Sequence, residues 1–172
     1  MTGFLPKQVK LFADGAIYSQ AMQLGTPGYA DGHHGEWMME PDLFARTFRV
    51  YWDLGYQLHV HVNGDKGLDM VLDQLEANLK RNPRTDHRTV IIHFAISSPD
   101  QVARIKKLGA IVSGNPYYPV ALADNYRNNG LDPARAAGVT GVASVSAVVL
   151  AAGSRKRTDG NSQAVQVVGL ER

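Results

Sequence analysis

The chain has 172 residues, enough for one domain with a buried core, and its hydrophobic (44%) and charged (20%) fractions are those of a folded globular protein. A formal charge of +2, with basic residues scattered apart from Arg155-Lys156-Arg157, leaves no electrostatic footprint for a nucleic acid and reads as surface charge. The absence of cysteine excludes disulfides, zinc–thiolate sites and cysteine nucleophiles, so a metal would have to be held by histidine, carboxylate or a modified lysine.

Gln8 to Ala13 alternates polar and apolar residues as a strand does, and Asp14-Gly15 stops it. Lys10 is out of place there. If Val9, Leu11 and Ala13 pack against helices, Lys10 faces the other side, which in a closed barrel is the interior, where an unpaired ammonium is too costly. The alternative is an edge strand with Lys10 in water, and pattern alone leaves both open. Residues 15–40 form a long Gly-rich loop, and such loops are functional or disordered. In it His33, His34 and Glu36 are too tightly flanked by glycine to aim at one ion; substrate contact or solvent exposure is expected. Trp37, Met38 and Met39 read as the loop's apolar anchor.

Glu40-Pro41-Asp42 opens a helix whose expected inward stripe is Leu43, Phe44, Thr47, Phe48, Tyr51 and Leu54, with Gly55 as its left-handed terminator. Tyr56 to Asp65 is a β-type run in which His59 and His61 share a face and a polar turn follows. A second helix is expected over Lys66 to Arg81, with Leu68, Val71, Leu72, Leu75 and Leu79 inward. Arg88 to Ala95 reads as a strand buried on both faces, with His93 at its end. Ser98-Pro99-Asp100-Gln101 carries an N-cap, a proline at N1 and a capping-box partner for a third helix, which ends at Gly109. Ala110 to Ser113 is a fourth strand, and Val120 to Arg127 is a final amphipathic piece. Beyond about Ala136 the sequence becomes small-residue and weakly patterned, so an irregular or disordered tail is expected over 137–172 after a β/α unit over 1–136.

The fold class is therefore α/β, with about four β/α units and right-handed crossovers. Lys10, His61 and His93 fall near the ends of successive strands or face one interior, and in a β/α barrel such positions converge on one mouth. Each histidine taken alone reads more readily as a packed, backbone-bonded imidazole. Their common placement on consecutive strands tips the reading toward a divalent ion, with the lysine contributing if CO2 converts it to a carbamate.

Val9-Lys10-Leu11-Phe12-Ala13-Asp14-Gly15, His61-Val62-Asn63-Gly64-Asp65, and His93-Phe94-Ala95 followed by Gly109 to Pro116 together resemble the central part of the amidohydrolase superfamily, in its third amidohydrolase family. Asp31 to Met39 and Tyr51-Trp52-Asp53 look close to its N-substituted formamide deformylase-like subgroup. The resemblance implies a metal-dependent (β/α)8 TIM-type barrel that hydrolyses non-peptide carbon–nitrogen bonds in a small-molecule amide. Lys10 matches a carboxylated lysine bridging two metals, zinc being the expected ion, and His61 and His93 match ligands of the second metal. Asp14, His34, Asp65, Asn115 and Tyr117 are implied to contact substrate or support the ligands, and His59 to lie one layer below the metal. In the family, water activated on the metal attacks a carbonyl polarised by the same ions.

The departures also set expectations. No His-x-His precedes Lys10, and Asp132 and Asp159 do not stand where the family's last-strand aspartate would, so no catalytic residue is assigned. A partial barrel of impaired activity is expected, with a truncated or frameshifted reading frame accounting for the tail. The rival expectation is an inactive half-barrel or a binding module that self-associates through open sheet edges. Val148 to Arg157 looks like the phosphate loop of sugar-phosphate nucleotidyltransferases, but Arg155 replaces a needed glycine and too little chain follows. No apolar run approaches the ~20 residues that span a bilayer. Met1 to Lys7 lacks a signal peptide's apolar stretch, so the expected location is the cytoplasm.

Overall fold

The computed structural model describes residues 7–114 and Gly130; the expected piece over 120–127, the tail over 137–172, and Asn115 and Tyr117 lie outside the described residues. Four strands, β1 (Gln8–Phe12), β2 (Gln57–Val62), β3 (Val90–His93) and β4 (Ile111–Gly114), form a parallel sheet in the order β1-β2-β3-β4. Between them run the helices α1 (Pro41–Asp53), α2 (Asp65–Arg81) and α3 (Pro99–Leu108).

Local chemistry sets the helix ends. Ser98 and Gln101 complete a reciprocal capping box at the start of α3, and Gly109 closes it at φ +71°, in the left-handed region that glycine enters without a Cβ penalty. Gly55 ends α1 in the same way at φ +77°, and Arg84 secures that end, donating to the carbonyls of Trp52, Gly55 and Tyr56 while its guanidinium lies 4.7 Å over the Trp52 ring.

Leu11, Leu58, Val60, Val62, Ile91 and Val112 point from the sheet into a core shared with all three helices. From α1 that core takes Phe44, Phe48 and Trp52, one ring per turn, whereas Leu43 and Leu54 are 48% and 55% exposed. The expected stripe is thus corrected. All three aromatic rings are fully buried on that one face, and the Trp52 N–H, which a buried indole must satisfy, donates to the Asn82 carbonyl at 2.9 Å. The leucines and valine of α2 pack as expected, Leu79 at the margin. β3 is shorter than its apolar run because Arg88 leaves the extended region at φ +47°, its guanidinium paired with Asp86, and because His93 and Phe94 turn left-handed at the other end.

The opposite sheet face carries Lys10, Phe12, His59, His61, Ile92 and Ser113, of which Lys10 and Ser113 are exposed and the others half-buried. Parallel sheets ordinarily have both faces covered, so among the described residues this face is the bare one.

Candidate functional site

The bare face is organised in layers by strand register. Lys10 sits beside His59, and two residues further toward the strand ends Phe12 sits beside His61 and His61 beside Ile92. Register also pairs Val62 with His93, so regular alternation would send His93 to the helical side with Val62. Instead, φ values of +76° at His93 and +53° at Phe94 turn the backbone, and the His93 ring reaches 4.4 Å from the His61 ring at an interplanar angle of 68°. Two consecutive left-handed non-glycine residues cost about 1–2 kcal/mol each, a strain that surrounding structure must hold in place.

Around the two imidazoles the contacts continue. The Phe12 ring is 5.4 Å from that of His61, and the Lys10 Nζ lies 5.0 Å over Phe12, so the lysine extends up the face toward the histidines. Burial, followed by the charges of His93 and Lys10, pushes the His61 pKa down to about 4; burial and Lys10 lower those of His93 and His59 as well. These rings are neutral at pH 7 and have lone pairs to offer. The Nε2 of His59 is enclosed with no hydrogen-bond partner among the described residues.

Asn63 belongs to this site, although sequence reasoning did not single it out. Its Nδ2 donates to the Gly15 carbonyl at 3.0 Å and stands 3.2 Å from His61 Nε2. Because the Gly15 oxygen can only accept, the amide nitrogen faces both partners, and Nε2 of the neutral His61 ring is the acceptor with the proton on Nδ1. The one available signal was its place two residues beyond a strand-end histidine.

The other expected residues are placed as follows. Asp14 is fully buried and turned away from solvent, accepting from the backbone N–H groups of Gln23, Asn63 and Gly64. Asp65 begins α2 and accepts from the N–H of Gly25 and Lys66. His34 is exposed, its Nδ1 2.8 Å from the Leu24 carbonyl oxygen. The loop over 15–40 is ordered by these ties and by Met22, Leu24 and Tyr29, all buried, rather than by Met38, which is 57% exposed. Its His33 stacks on Tyr29 with ring centroids 4.4 Å apart and lies 2.6 Å from Asp31.

The profile described as the amidohydrolase family matches residues 2–148. The chain belongs to the amidohydrolase family. A putative amidohydrolase, YtcJ, of Bacillus subtilis is 24% identical over 64% of the chain, and Protein LONG AFTER FAR-RED 3 of Arabidopsis thaliana is 29% identical over 68% of it. This amidohydrolase-family chain spans about a fifth (20%) of the length of each of these relatives. Among solved structures it resembles an uncharacterized metal-dependent hydrolase from Pyrococcus furiosus (30% identity, TM-score 0.61, 76% of this chain and 26% of that one). Another, from Pyrococcus horikoshii, is similar (29% identity, TM-score 0.60, 74% and 25%).

The family implies a divalent metal. His61 and His93 are neutral imidazoles with ring centroids 4.4 Å apart, a donor chemistry that would suit such an ion, and an ion at His61 Nε2 would compete with Asn63 for the lone pair. No cluster of three or more His, Cys, Asp or Glu side chains suited to a metal occurs among the described residues. No helix among them is long and apolar enough to cross a membrane.

Proposed function

We propose that this chain is part of a (β/α)8 hydrolase that cleaves non-peptide carbon–nitrogen bonds, with N-substituted formamides as the substrate class. The observation that carries the proposal is the convergence of His61 and His93, brought about by a left-handed backbone at a strand end. Strand-end histidines on a parallel sheet, on the face away from the helices, are placed where a barrel would have its mouth. The family membership and the metal-dependent hydrolases among its structural relatives support the same reading.

His61 and His93 would hold a divalent ion, zinc by ligand type, and Lys10 would join them as a carbamate. Bound there, the ion would supply Lewis-acid polarisation of an amide carbonyl and a lowered pKa for water. Phe12, in contact with both Lys10 and His61, limits the freedom of both. Asn63 orients His61, and the loop over 15–40, fixed to the start of α2 through Gly25 and Asp65, forms one wall beside the strand ends. Asp14 supports that wall from below, whereas His34, Asn115 and Tyr117 are proposed substrate contacts.

Metal content of purified protein, measured with hydrolysis of N-substituted formamides, tests the reading. Bound metal that disappears in a His61→Ala/His93→Ala variant is expected; wild-type protein that takes up no divalent ion would rule it out. With two imidazoles and one lysine as candidate ligands among the described residues, the chain by itself is expected to turn over slowly. The bare face and the outer edges of β1 and β4 favour a second, non-catalytic reading, a half-barrel that associates with itself. Metal-free protein that sediments as a dimer would favour that one.

A further inference from the structure

A second charged feature lies in the helical layer, with the sheet between it and the histidines. A cleft of about 270 Å³ opens between α1 and α2, lined by Ala45, Arg46 and Arg49 from one helix and Gln74, Ala77, Asn78 and Arg81 from the other. The two alanines leave room where larger residues would have filled the helix–helix groove. Three guanidiniums line it, and two of them are paired with Asp53, which stands outside the lining, 2.6 Å from Arg81 and 4.0 Å from Arg49. Arg46, one turn before Arg49, forms no ion pair with the described residues. Arg81 is held further by the Asn78 side-chain oxygen at 2.9 Å, so one arm of the cleft is ordered in advance.

We infer that this cleft binds a phosphate group. One carboxylate leaves two positive charges unmatched, and Arg49 and Arg81 already converge on an oxyanion in the form of Asp53. Guanidinium forks match carboxylate and phosphate equally in the plane, but forks arriving from two helices suit an anion with acceptors on several sides. A phosphate monoester has three such oxygens and carries about −1.5 to −2 at pH 7, close to the surplus. The cleft falls just below the roughly 300–1,000 Å³ of drug-sized pockets, which fits a phosphate or a small phosphorylated metabolite. The site is independent of any metal and of the hydrolase reading.

The test is a titration of the full chain, freed of metal by dialysis against a chelator that is then removed, so that phosphate cannot be captured at the histidines. Inorganic phosphate, glycerol phosphate and acetate are added at constant ionic strength and followed by NMR. Saturable shifts at backbone amides 45–49 and 74–81 are expected with both phosphates and not with acetate. Arg46→Gln/Arg49→Gln, which leaves the Arg81–Asp53 pair intact, is expected to weaken binding roughly tenfold or more, the effect of losing a hydrogen bond to a charged group, with an unchanged melting temperature. Tighter binding of glycerol phosphate would assign the site to phosphorylated metabolites, and equal binding to the phosphate ion itself. Shifts that do not saturate, that persist at full strength in the double variant, or that acetate reproduces would overturn the inference.

Discussion

Oδ2 of Asp14 lies 2.7 Å from the backbone N–H of Gly64, joining the end of β1 to the turn that follows β2. The same oxygen accepts from Gln23 at 3.0 Å, and Oδ1 accepts from Asn63 at 2.8 Å. Asp14→Asn is nearly isosteric but puts an NH2 group where one of these N–H donors needs an acceptor. A loss of about 2–3 kcal/mol in urea unfolding is expected; a change under about 0.5 kcal/mol would show that the three bonds do not matter to stability.

Acid titration should separate two opposing groups. Burial raises the Asp14 pKa from 3.8 to about 6 despite its three N–H donors, so this carboxyl favours the folded state most below pH 3.8 and that contribution is lost as pH rises through 6. His61 works the other way: its pKa falls from 6.5 to about 4, so its contribution is complete above pH 6.5 and is lost as pH falls toward 4. Because His59, His87 and His93 are lowered as well and act in the same direction as His61, the Asp14 carboxyl is expected to make wild-type stability rise less steeply between pH 4 and 6 than that of a variant without it. Asp14→Asn, having lost the carboxyl, should become steadily more stable over that range, and NMR of the metal-free chain should find the His61 ring still neutral at pH 5. A His61 midpoint near 6.5 would contradict this.

The backbone at His93 makes a distinctive demand. Asparagine tolerates left-handed φ and valine does not, so His93→Val is expected to cost about 2 kcal/mol more than His93→Asn in thermal unfolding. Both lose the ring contact with His61, which cancels in the comparison. Equal melting temperatures would mean that the left-handed turn is not required.

A Cβ on Gly64 would lie 2.0 Å from the Gln23 carbonyl oxygen and 2.6 Å from its carbon, backbone atoms that no rotamer change can move aside. Gly64→Ala is expected to detach the loop from the start of α2 and to expose residues 15–40 to proteolysis, with a loss of about 1–3 kcal/mol. Gly32→Ala is the control. It meets no atom within 4 Å, though its φ of +87° carries the ordinary left-handed cost, and the loop should stay protected.

The succession of strands and helices was readable because its signals are local: proline and the capping box at the start of α3, glycine at the ends of α1 and α3, leucines at helical spacing in α2. Candidates Lys10, His61 and His93 could also be named from strand alternation and position. What alternation misplaces is His93 itself, which register assigns to the helical side and only a left-handed turn, with no glycine to announce it, brings across. The inward face of α1 was misjudged because Leu43 and Leu54 are as apolar as its aromatic residues, and hydrophobicity does not say which of two overlapping stripes meets the sheet. The order within the loop over 15–40 was hidden for another reason. It depends on Asp14 and on backbone groups of Gln23, and backbone hydrogen bonds leave no mark in the identity of the residue that makes them.

Each strand in the order β1-β2-β3-β4 pairs with the next one in the chain. Among the described strands, each β/α unit therefore finds its partner already in place as the chain emerges during synthesis, and none of the four has to wait for a distant segment to be made. Growth of this kind is additive: each unit leaves one fresh edge for the next to dock on, and the helix that precedes a strand covers the apolar face just laid down.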